Sequence, residues 1–242
     1  MRYAVISDIH GNLEAFQAVL ADIKDKKIGA YLCIGDVVGY GANPKESIGL
    51  LKSLKCSLTI AGNHDWAVAG LTDLEYFNEY AKEAIIWTKR VLNQEELDYL
   101  KSFHLLYEGE NFSLVHGSLK NPQRFDYILN KAGACSAIAL MRTLLCFVGH
   151  SHVAEIYYSD KDKIFHTRGP NIKIGSNKKY IVNVGSIGQP RDGDPRASYA
   201  IYDEDGQTVE IKRVPYDVKA AKEKIIDAGL PGILAARLSE GR

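Results

Sequence analysis

Short apolar runs alternate with helix-like patterns along the first quarter of the chain. The runs at residues 3–7, 30–34 and 58–61 predict buried strands, and each is followed by glycine or aspartate. Apolar residues recur with the period of a helix at residues 13–23 and 44–54. This strand–helix order predicts parallel pairing of the strands, with the helices outside the sheet.

Asparagine marks three predicted helix starts. Asn12 is placed to cap the first helix. Asn43 is followed by proline and then, at the third position, by Glu46, a spacing that predicts a capping box. Asn93 and Glu96 have the same spacing and open a later helix.

Residues 66–105 differ from their surroundings because helical patterns dominate there. One long helix is predicted over residues 78–92, and the helix that starts at Asn93 follows it. This helical insertion could cover part of a pocket.

The second half of the chain predicts strands joined by short turns, which favours antiparallel pairing. These strands are predicted at residues 112–115, 144–148, 156–158, 180–184, 198–202 and 208–214. A loop-rich segment at 169–195, a helix at 216–228 and a surface tail complete the pattern. Two packed sheets flanked by helices would accommodate both kinds of pairing.

Composition and charge narrow the classes of function. The 242 residues are 46% hydrophobic, which fits one large domain or one domain with a small appendage. Thirty basic and thirty acidic residues give zero net charge, which argues against nucleic acid or an anionic membrane as partner. The four cysteines are widely spaced, and neither a signal peptide nor a long apolar span is evident. We therefore expect a soluble cytoplasmic protein with reduced thiols.

Five short polar blocks hold most of the residues with metal or catalytic chemistry, and each follows an apolar run. They are Asp8-Ile9-His10, Gly35-Asp36, Gly62-Asn63-His64-Asp65, His116-Gly117 and Gly149-His150-Ser151-His152. Oxygen and imidazole ligands gathered in this way suit two divalent transition metals that share one carboxylate. Because ligand sites of α/β folds lie at the carboxyl ends of strands, we expect the blocks to meet at one edge of the sheets.

The spacing within two blocks predicts pairs of ligands. Asp8 and His10 are two residues apart, as are His150 and His152. On extended backbone both members of a pair would point to the same side, so that each pair could serve one metal. Asp36 is assigned the bridging role from the order of the motifs.

The five blocks, in this order, resemble the signature of the calcineurin-like metallophosphoesterase superfamily, over residues 3 to about 202. Within it, residues 35–41 and 183–200 resemble small prokaryotic phosphodiesterases and symmetrical diadenosine tetraphosphatases. The resemblance implies a four-layer α/β/β/α sandwich with a dinuclear site. It also implies a single domain over residues 1–242, with the helical insertion at about 66–105 and a C-terminal helix and tail at about 216–242.

The resemblance further implies a role for each site residue. One metal would take Asp8, His10, Asp36 and His152, and the second would take Asp36, Asn63, His116 and His150. His64 would ligate neither metal, but would protonate the leaving oxygen while a hydroxide bridging the two cations attacks phosphorus. The resemblance favours Mn²⁺, and Fe, Zn, Ni or Co also fit the ligand set.

One departure from the family concerns the surroundings of His64. The protein phosphatase branch carries GDxxDRG, whereas Gly39 and Tyr40 occupy the positions of the orienting Asp and the phosphate-binding Arg here. This argues against a protein phosphatase. The partner that orients His64 is left open between Asp65, a backbone carbonyl and water, and Asp65 joins His64 as a catalytic candidate.

Three residues are candidates for substrate contact. Arg191 lies in a glycine-rich loop after a strand and is the best-placed cation for a substrate phosphate; the alternative is a salt bridge with Asp192 or Asp194. Tyr40 and Asn43 are candidates for the pocket mouth.

The leading interpretation is a phosphodiesterase that acts on nucleotide-like or other small phosphoesters. The alternatives are a phosphomonoesterase and a protein phosphatase. An alternative of another class is a non-catalytic metal-binding scaffold or sensor, although such proteins usually lose ligands or the catalytic histidine, and all eight positions are present here. No pattern specifies the oligomeric state.

Overall fold

Twelve strands in the described part of the chain form two sheets of six strands each. The structure is a computed structural model that describes residues 1–161 and 163–242. The strands are β1 (Arg2–Ile6), β2 (Ala30–Cys33), β3 (Leu58–Thr59), β4 (Leu106–Glu108), β5 (Phe112–Val115), β6 (Leu145–Val148), β7 (Ala154–Asp160), β8 (Lys163–Thr167), β9 (Asn171–Lys173), β10 (Tyr180–Val184), β11 (Ala197–Asp203) and β12 (Thr208–Val214). The helices are α1 (Leu13–Ile23), α2 (Pro44–Leu54), α3 (Asn63–Ala69), α4 (Glu79–Val91), α5 (Gln94–Lys101), α6 (Lys131–Leu140), α7 (Val218–Asp227) and α8 (Gly232–Glu240).

Both sheets mix parallel and antiparallel pairs. The first sheet has the order β3-β2-β1-β11-β12-β9, with β1, β2 and β3 parallel and the other pairs antiparallel. The second has the order β4-β5-β6-β10-β7-β8, with β5, β6 and β10 parallel. The predicted parallel βαβαβ unit and the α/β fold of two mixed sheets flanked by helices are confirmed.

Alternate residues along the strands divide the core into layers, because successive side chains of a strand point to opposite faces. In β1, Ala4 and Ile6 pack on the helical side with α1, whereas Val5 lies in the cluster between the sheets. In β6, Phe147 lies between the sheets and Val148 packs with α6. The layers are therefore helix, sheet, sheet and helix.

Two of the three predicted asparagine caps are present. Asn12 caps α1 and Asn93 closes a capping box at α5. The prediction of a capping box at Asn43 is wrong, because the side chain of Asn43 makes no capping hydrogen bond within the described residues. The backbone N–H of Asn43 donates instead to the Gly11 carbonyl at 2.9 Å, so Glu46 finds no free donor there.

The sequence patterns miss several elements whose apolar positions are sparse. The strands β4, β8 and β9 are sheet edges with partly or fully exposed side chains, so none of them shows a continuous apolar run. The patterns also miss the helices α3 and α6. The surface tail expected over the last dozen residues is instead mostly the helix α8, which buries Leu234 and Leu238 in a cluster with Tyr40. No helix among the described residues has the length and apolarity needed to cross a membrane.

Candidate metal centre

The loops that carry the ligands leave their strands with left-handed backbone. Five candidate ligands share φ values between 51° and 67°: Asp8, His10, Asp36, His150 and His152. The expectation of extended backbone in the two ligand pairs is therefore wrong. The loop after β1 pairs with the loop after β2 instead, since the N–H of Asp8 donates to the Gly35 carbonyl and the N–H of His10 to the Asp36 carbonyl, both at 2.9 Å. Such backbone costs about 1–3 kcal/mol per residue and is typical of functional sites.

These loops bring the predicted ligands together in two buried groups. The first group contains Asp8, His10, Asp36 and His152, and the second contains Asp36, His116 and His150. Within each group the ligand atoms lie within 4.8 Å of one another. The Oδ2 atom of Asp36 lies 3.5 Å from Nε2 of His10 and 3.2 Å from Nε2 of His116, so one carboxylate oxygen reaches both groups.

Contacts with main-chain carbonyls set the orientation of three of these imidazoles. The Nδ1 atoms of His10, His116 and His152 lie 2.6–3.0 Å from carbonyl oxygens. Because a carbonyl oxygen only accepts, each Nδ1 carries the proton. In the neutral ring, the lone pair of Nε2 is then directed at the cluster, as in metal-binding histidines.

Two features of the cluster test whether a cation fits. The Nε2 atoms of His10 and His152 lie 3.1 Å apart. Burial lowers the pKa of both rings, so both are neutral at pH 7 and two acceptor nitrogens face each other. The Oδ1 atom of Asn63 is buried and, among the described residues, has no hydrogen-bond partner. A divalent cation would satisfy these lone pairs, and carboxylate, imidazole and amide oxygen ligands suit Mn, Fe, Co, Ni or Zn. The residues present therefore fit a bound metal.

The two carboxylates of the cluster are held ionised by their neighbours. Burial alone would raise the pKa of each, but His152 holds the pKa of Asp8 below its usual range, and His116 does the same for Asp36. Burial would likewise lower the pKa of His116, yet Asp36 outweighs it and raises that pKa to about 9. In the metal-free protein His116 therefore carries a second proton at pH 7 and must lose it to bind a metal.

His64 lies beside the cluster and belongs to neither ligand group. Its backbone N–H donates to Oδ1 of Asp36 at 2.8 Å, and its ring packs edge-on against His10 with centroids 4.9 Å apart. Its Nδ1 is buried and finds no hydrogen-bond partner in the part of the chain that the structure describes. Burial lowers the pKa of His64 to about 4, so the ring is neutral at pH 7.

Gly39, which stands at the sequence position of the Asp in the GDxxDRG pattern, lies against the ring of His64. A Cβ atom at Gly39 would lie 2.5 Å from Nδ1 of His64. Asp65 does not replace that carboxylate, because its oxygens accept from the backbone N–H groups of Asp36 and Gly62 at 2.7 and 3.0 Å. Asp65 thus shapes the Asp36 loop and the start of α3, and the structure does not pair it with His64.

A cavity of about 640 Å³ opens over the cluster and reaches Asp36, Asn63, His64, His150 and His152. One wall comes from the segment between α3 and α4 and the start of α4, through residues 72–81. The predicted helical insertion therefore covers part of the pocket. A second wall consists of residues 123–127.

The three candidate substrate residues differ in their positions. Arg191 and Tyr40 line the cavity, whereas Asn43 is not among the described lining residues. The guanidinium of Arg191 donates to Oε1 of Gln189 at 2.8 Å and lies 5.6 Å from the ring centroid of Tyr40. The alternative salt bridge is not formed among the described residues, since the aspartates at 192 and 194 pair with other arginines.

Sequence reasoning missed the second cavity wall and its aromatic residues. The ring of Tyr127 stacks on His150 with centroids 3.8 Å apart and an interplanar angle of 14°. The backbone reaches this position through a 3-10 turn at Pro122–Arg124 that ends on Phe125 at φ +52°. The available signal was a pair of aromatic residues in a polar stretch soon after the His116 block.

Comparison with known proteins identifies the family of this chain. Residues 1–207 match the model of the calcineurin-like phosphoesterase superfamily domain. An uncharacterized protein of Methanocaldococcus jannaschii is 44% identical over 243 residues, which cover 99% of this chain and 98% of the relative.

Solved structures extend the comparison to the fold. A metallophosphoesterase from Sphaerobacter thermophilus has 39% identity and a TM-score of 0.87, over 100% of this chain and 99% of that one. A hypothetical protein from Pyrococcus horikoshii OT3 has 21% identity and a TM-score of 0.81, over 100% and 98%, and so shares the fold. The resemblance stated from the five blocks is confirmed. The chain belongs to the calcineurin-like phosphoesterase superfamily and is a phosphoric ester hydrolase.

Proposed function

We propose that this protein is a dinuclear-metal phosphodiesterase that acts on nucleotide-like or other small phosphoesters. The observation that carries the proposal is the position of Asp36, whose Oδ2 lies within 3.5 Å of an imidazole from each ligand group. One metal would be held by Asp8, His10, Asp36 and His152, and the other by Asp36, Asn63, His116 and His150. Family membership favours Mn²⁺.

Two bound cations would polarise the phosphoryl oxygens and activate the attacking water. His64 serves the leaving oxygen. Because its Nδ1 faces Gly39, Nε2 is the ring nitrogen left for the substrate. The pKa of about 4 keeps His64 neutral in the free protein, and the negative charge of a phosphoester in the cavity would raise that pKa. Proton donation by a placed general acid contributes about 10²–10⁴-fold in rate.

The cavity supports a small substrate that carries a phosphate group. Its volume of about 640 Å³ suits a nucleotide-sized molecule. Arg191 lines it without a carboxylate partner among the described residues, while Arg124, also in the lining, faces Asp126 at 3.6 Å. Arg191 is therefore the cation of the lining that is placed to contact a substrate phosphate.

The aromatic residues of the lining support a planar group on the substrate. Tyr40, Tyr76, Phe77, Phe125 and Tyr127 all border the cavity, and Tyr76 is 88% exposed. Exposed aromatic faces stack on nucleobases at about 1–3 kcal/mol per base. A nucleoside attached to the phosphate would therefore find both a cation and stacking surfaces in this cavity.

The proposal extends to the whole chain and to its compartment. Residues 1–242 would act as one domain, because Ile225 of α7 and Leu234 of α8 share a buried cluster with Tyr40 of the site. The four cysteines are free thiols, which suits the reducing cytoplasm.

The test is hydrolysis of two model esters by metal-free protein reloaded with Mn²⁺. We expect two metals per chain, metal-dependent cleavage of bis-p-nitrophenyl phosphate in preference to p-nitrophenyl phosphate, and loss of most turnover with retained metals in His64→Ala. Preference for the monoester would instead assign a phosphomonoesterase. Two bound metals without turnover of either ester would leave a narrow-specificity enzyme or the scaffold or sensor, and one metal per chain would overturn the dinuclear site.

A further inference from the structure

His150 is held differently from the other three imidazoles of the two ligand groups. His10, His116 and His152 are each oriented by a main-chain carbonyl at Nδ1. Within the described residues, no hydrogen bond reaches either ring nitrogen of His150, and only its backbone N–H is engaged, with the Asp8 carboxylate. The ring orientation of this ligand therefore needs another source.

The ring of Tyr127 packs against the imidazole of His150. The two rings lie nearly parallel, with centroids 3.8 Å apart and planes inclined by 14°. His150 is 6% exposed and Tyr127 is 50% exposed, and both side chains line the cavity. The hydroxyl of Tyr127 makes no hydrogen bond within the described residues, and the contact with His150 is made by the ring.

The segment that carries Tyr127 is itself fixed against the second ligand group. Gly117 follows His116, and a Cβ atom there would come within 2.9 Å of the backbone of Phe125 and Asp126. The ring of Phe125 also packs edge-on to His116, with centroids 6.0 Å apart. Both imidazoles of the second group thus lie against one short segment, residues 125–127.

We propose that Tyr127 is a positioning residue for the metal site formed by His116 and His150, which rests on the dinuclear function proposed above. Stacking holds the His150 ring at the angle at which it can offer a lone pair to the cation. Loss of a group that orients a ligand typically lowers metal affinity by about 10–100-fold. The site formed by Asp8, His10 and His152 has its own main-chain contacts and should keep its affinity.

The experiment is titration of metal-free protein with Mn²⁺, by calorimetry and by electron paramagnetic resonance, in three variants. Tyr127→Ala removes the stack, Tyr127→Phe keeps the ring, and Tyr76→Ala removes an aromatic ring from the same cavity that, among the described residues, contacts no ligand histidine. We expect Tyr127→Ala to bind its second Mn²⁺ about 10–100-fold more weakly and to show the signal of an isolated ion. The phenylalanine and Tyr76 variants should bind two ions as the wild type does.

The outcomes separate this inference from the function on which it rests. If the wild type binds only one Mn²⁺, the dinuclear proposal is overturned and the inference with it. If the wild type binds two and Tyr127→Ala binds both with unchanged affinity, only the inference is overturned. Equal loss in the Phe and Ala variants, with unchanged circular dichroism, would show that ring stacking is not what holds His150.

Discussion

Replacement of Gly39 by alanine should lower turnover while the metal content stays unchanged. A Cβ at this position would lie 2.5 Å from Nδ1 and 3.0 Å from Cγ of His64, and its three nearest atoms all belong to His64. Ordinary contacts of a Cβ begin at about 3.4 Å, so the imidazole must move by roughly 1 Å. The perturbation therefore acts on the proposed general acid and spares the ligands.

The size of the effect follows from that displacement. A misplacement of about 1 Å costs about 10²-fold in rate, which is about 2.7 kcal/mol of transition-state stabilisation. Complete loss of a general acid would cost about 10²–10⁴-fold, so the alanine variant should approach His64→Ala. Alanine at φ +88° also costs about 1–3 kcal/mol of folding stability, which should lower the melting temperature by several degrees.

The assay compares kcat on bis-p-nitrophenyl phosphate and metal content by mass spectrometry for four proteins: wild type, Gly39→Ala, His64→Ala and Gly49→Ala. Gly49 is the matched control, since it lies in α2 and a Cβ atom there would have no neighbour within 4 Å among the described residues. Alanine there should keep kcat and raise stability by about 0.5–1 kcal/mol.

Two results would refute the reasoning. Wild-type kcat in folded Gly39→Ala would mean that the position of His64 does not limit the reaction. Loss of metal from Gly39→Ala would mean that the substitution disturbs the Asp36 loop rather than His64.

Three further predictions concern the metals and the substrate phosphate. Gly62→Ala would place a Cβ atom against Oδ1 of Asp36. We therefore expect this variant to lose both metals, which is measured as metal per chain. Two retained metals would argue against Asp36 as the shared ligand. Arg191→Ala should raise KM by about 10–100-fold with metals retained, since a charge-assisted hydrogen bond contributes about 1.5–3 kcal/mol. Arg191→Lys should restore part of the lost substrate affinity. An unchanged KM in steady-state kinetics would remove Arg191 from the substrate site. Because the pKa of His116 is raised to about 9, Mn²⁺ binding at pH 7 should release a proton, and affinity should rise by up to about tenfold per pH unit until pH 9. Calorimetry in two buffers of different ionisation enthalpy measures that release, and identical heats in both buffers would contradict it.

Much of the site could be located from the sequence because each group of ligands lies within a few consecutive residues. Each block follows a strand whose apolar run is visible, and oxygen and imidazole ligands stand out at such positions. The parallel order of β1, β2 and β3 then places Asp8, Asp36 and Asn63 at one edge of the sheet. Edge strands such as β8 could not be predicted because their exposed side chains give no apolar signal.

The backbone of the ligand loops could not be predicted in the same way. The left-handed φ of Asp8 and His10 depends on hydrogen bonds to the loop after β2, which follows 25 or more residues later. The partner of Asp65 could not be predicted either. Its position next to His64 in the chain suggested that residue as its partner, but its oxygens accept hydrogen bonds from backbone N–H groups of the Asp36 loop. Spacing along the chain does not report such contacts.

The sequence by itself determined the donor atoms, their order, most of the helices and strands that carry them, and the family resemblance, because these depend on residue type and local pattern. Only the tertiary structure decided that Asp36 reaches both ligand groups, that Gly39 faces Nδ1 of His64, and that Tyr127 stacks on His150. Each of these contacts joins segments that are distant in the chain. Their geometry is set by how two sheets and their loops pack, and packing is a property of the whole fold.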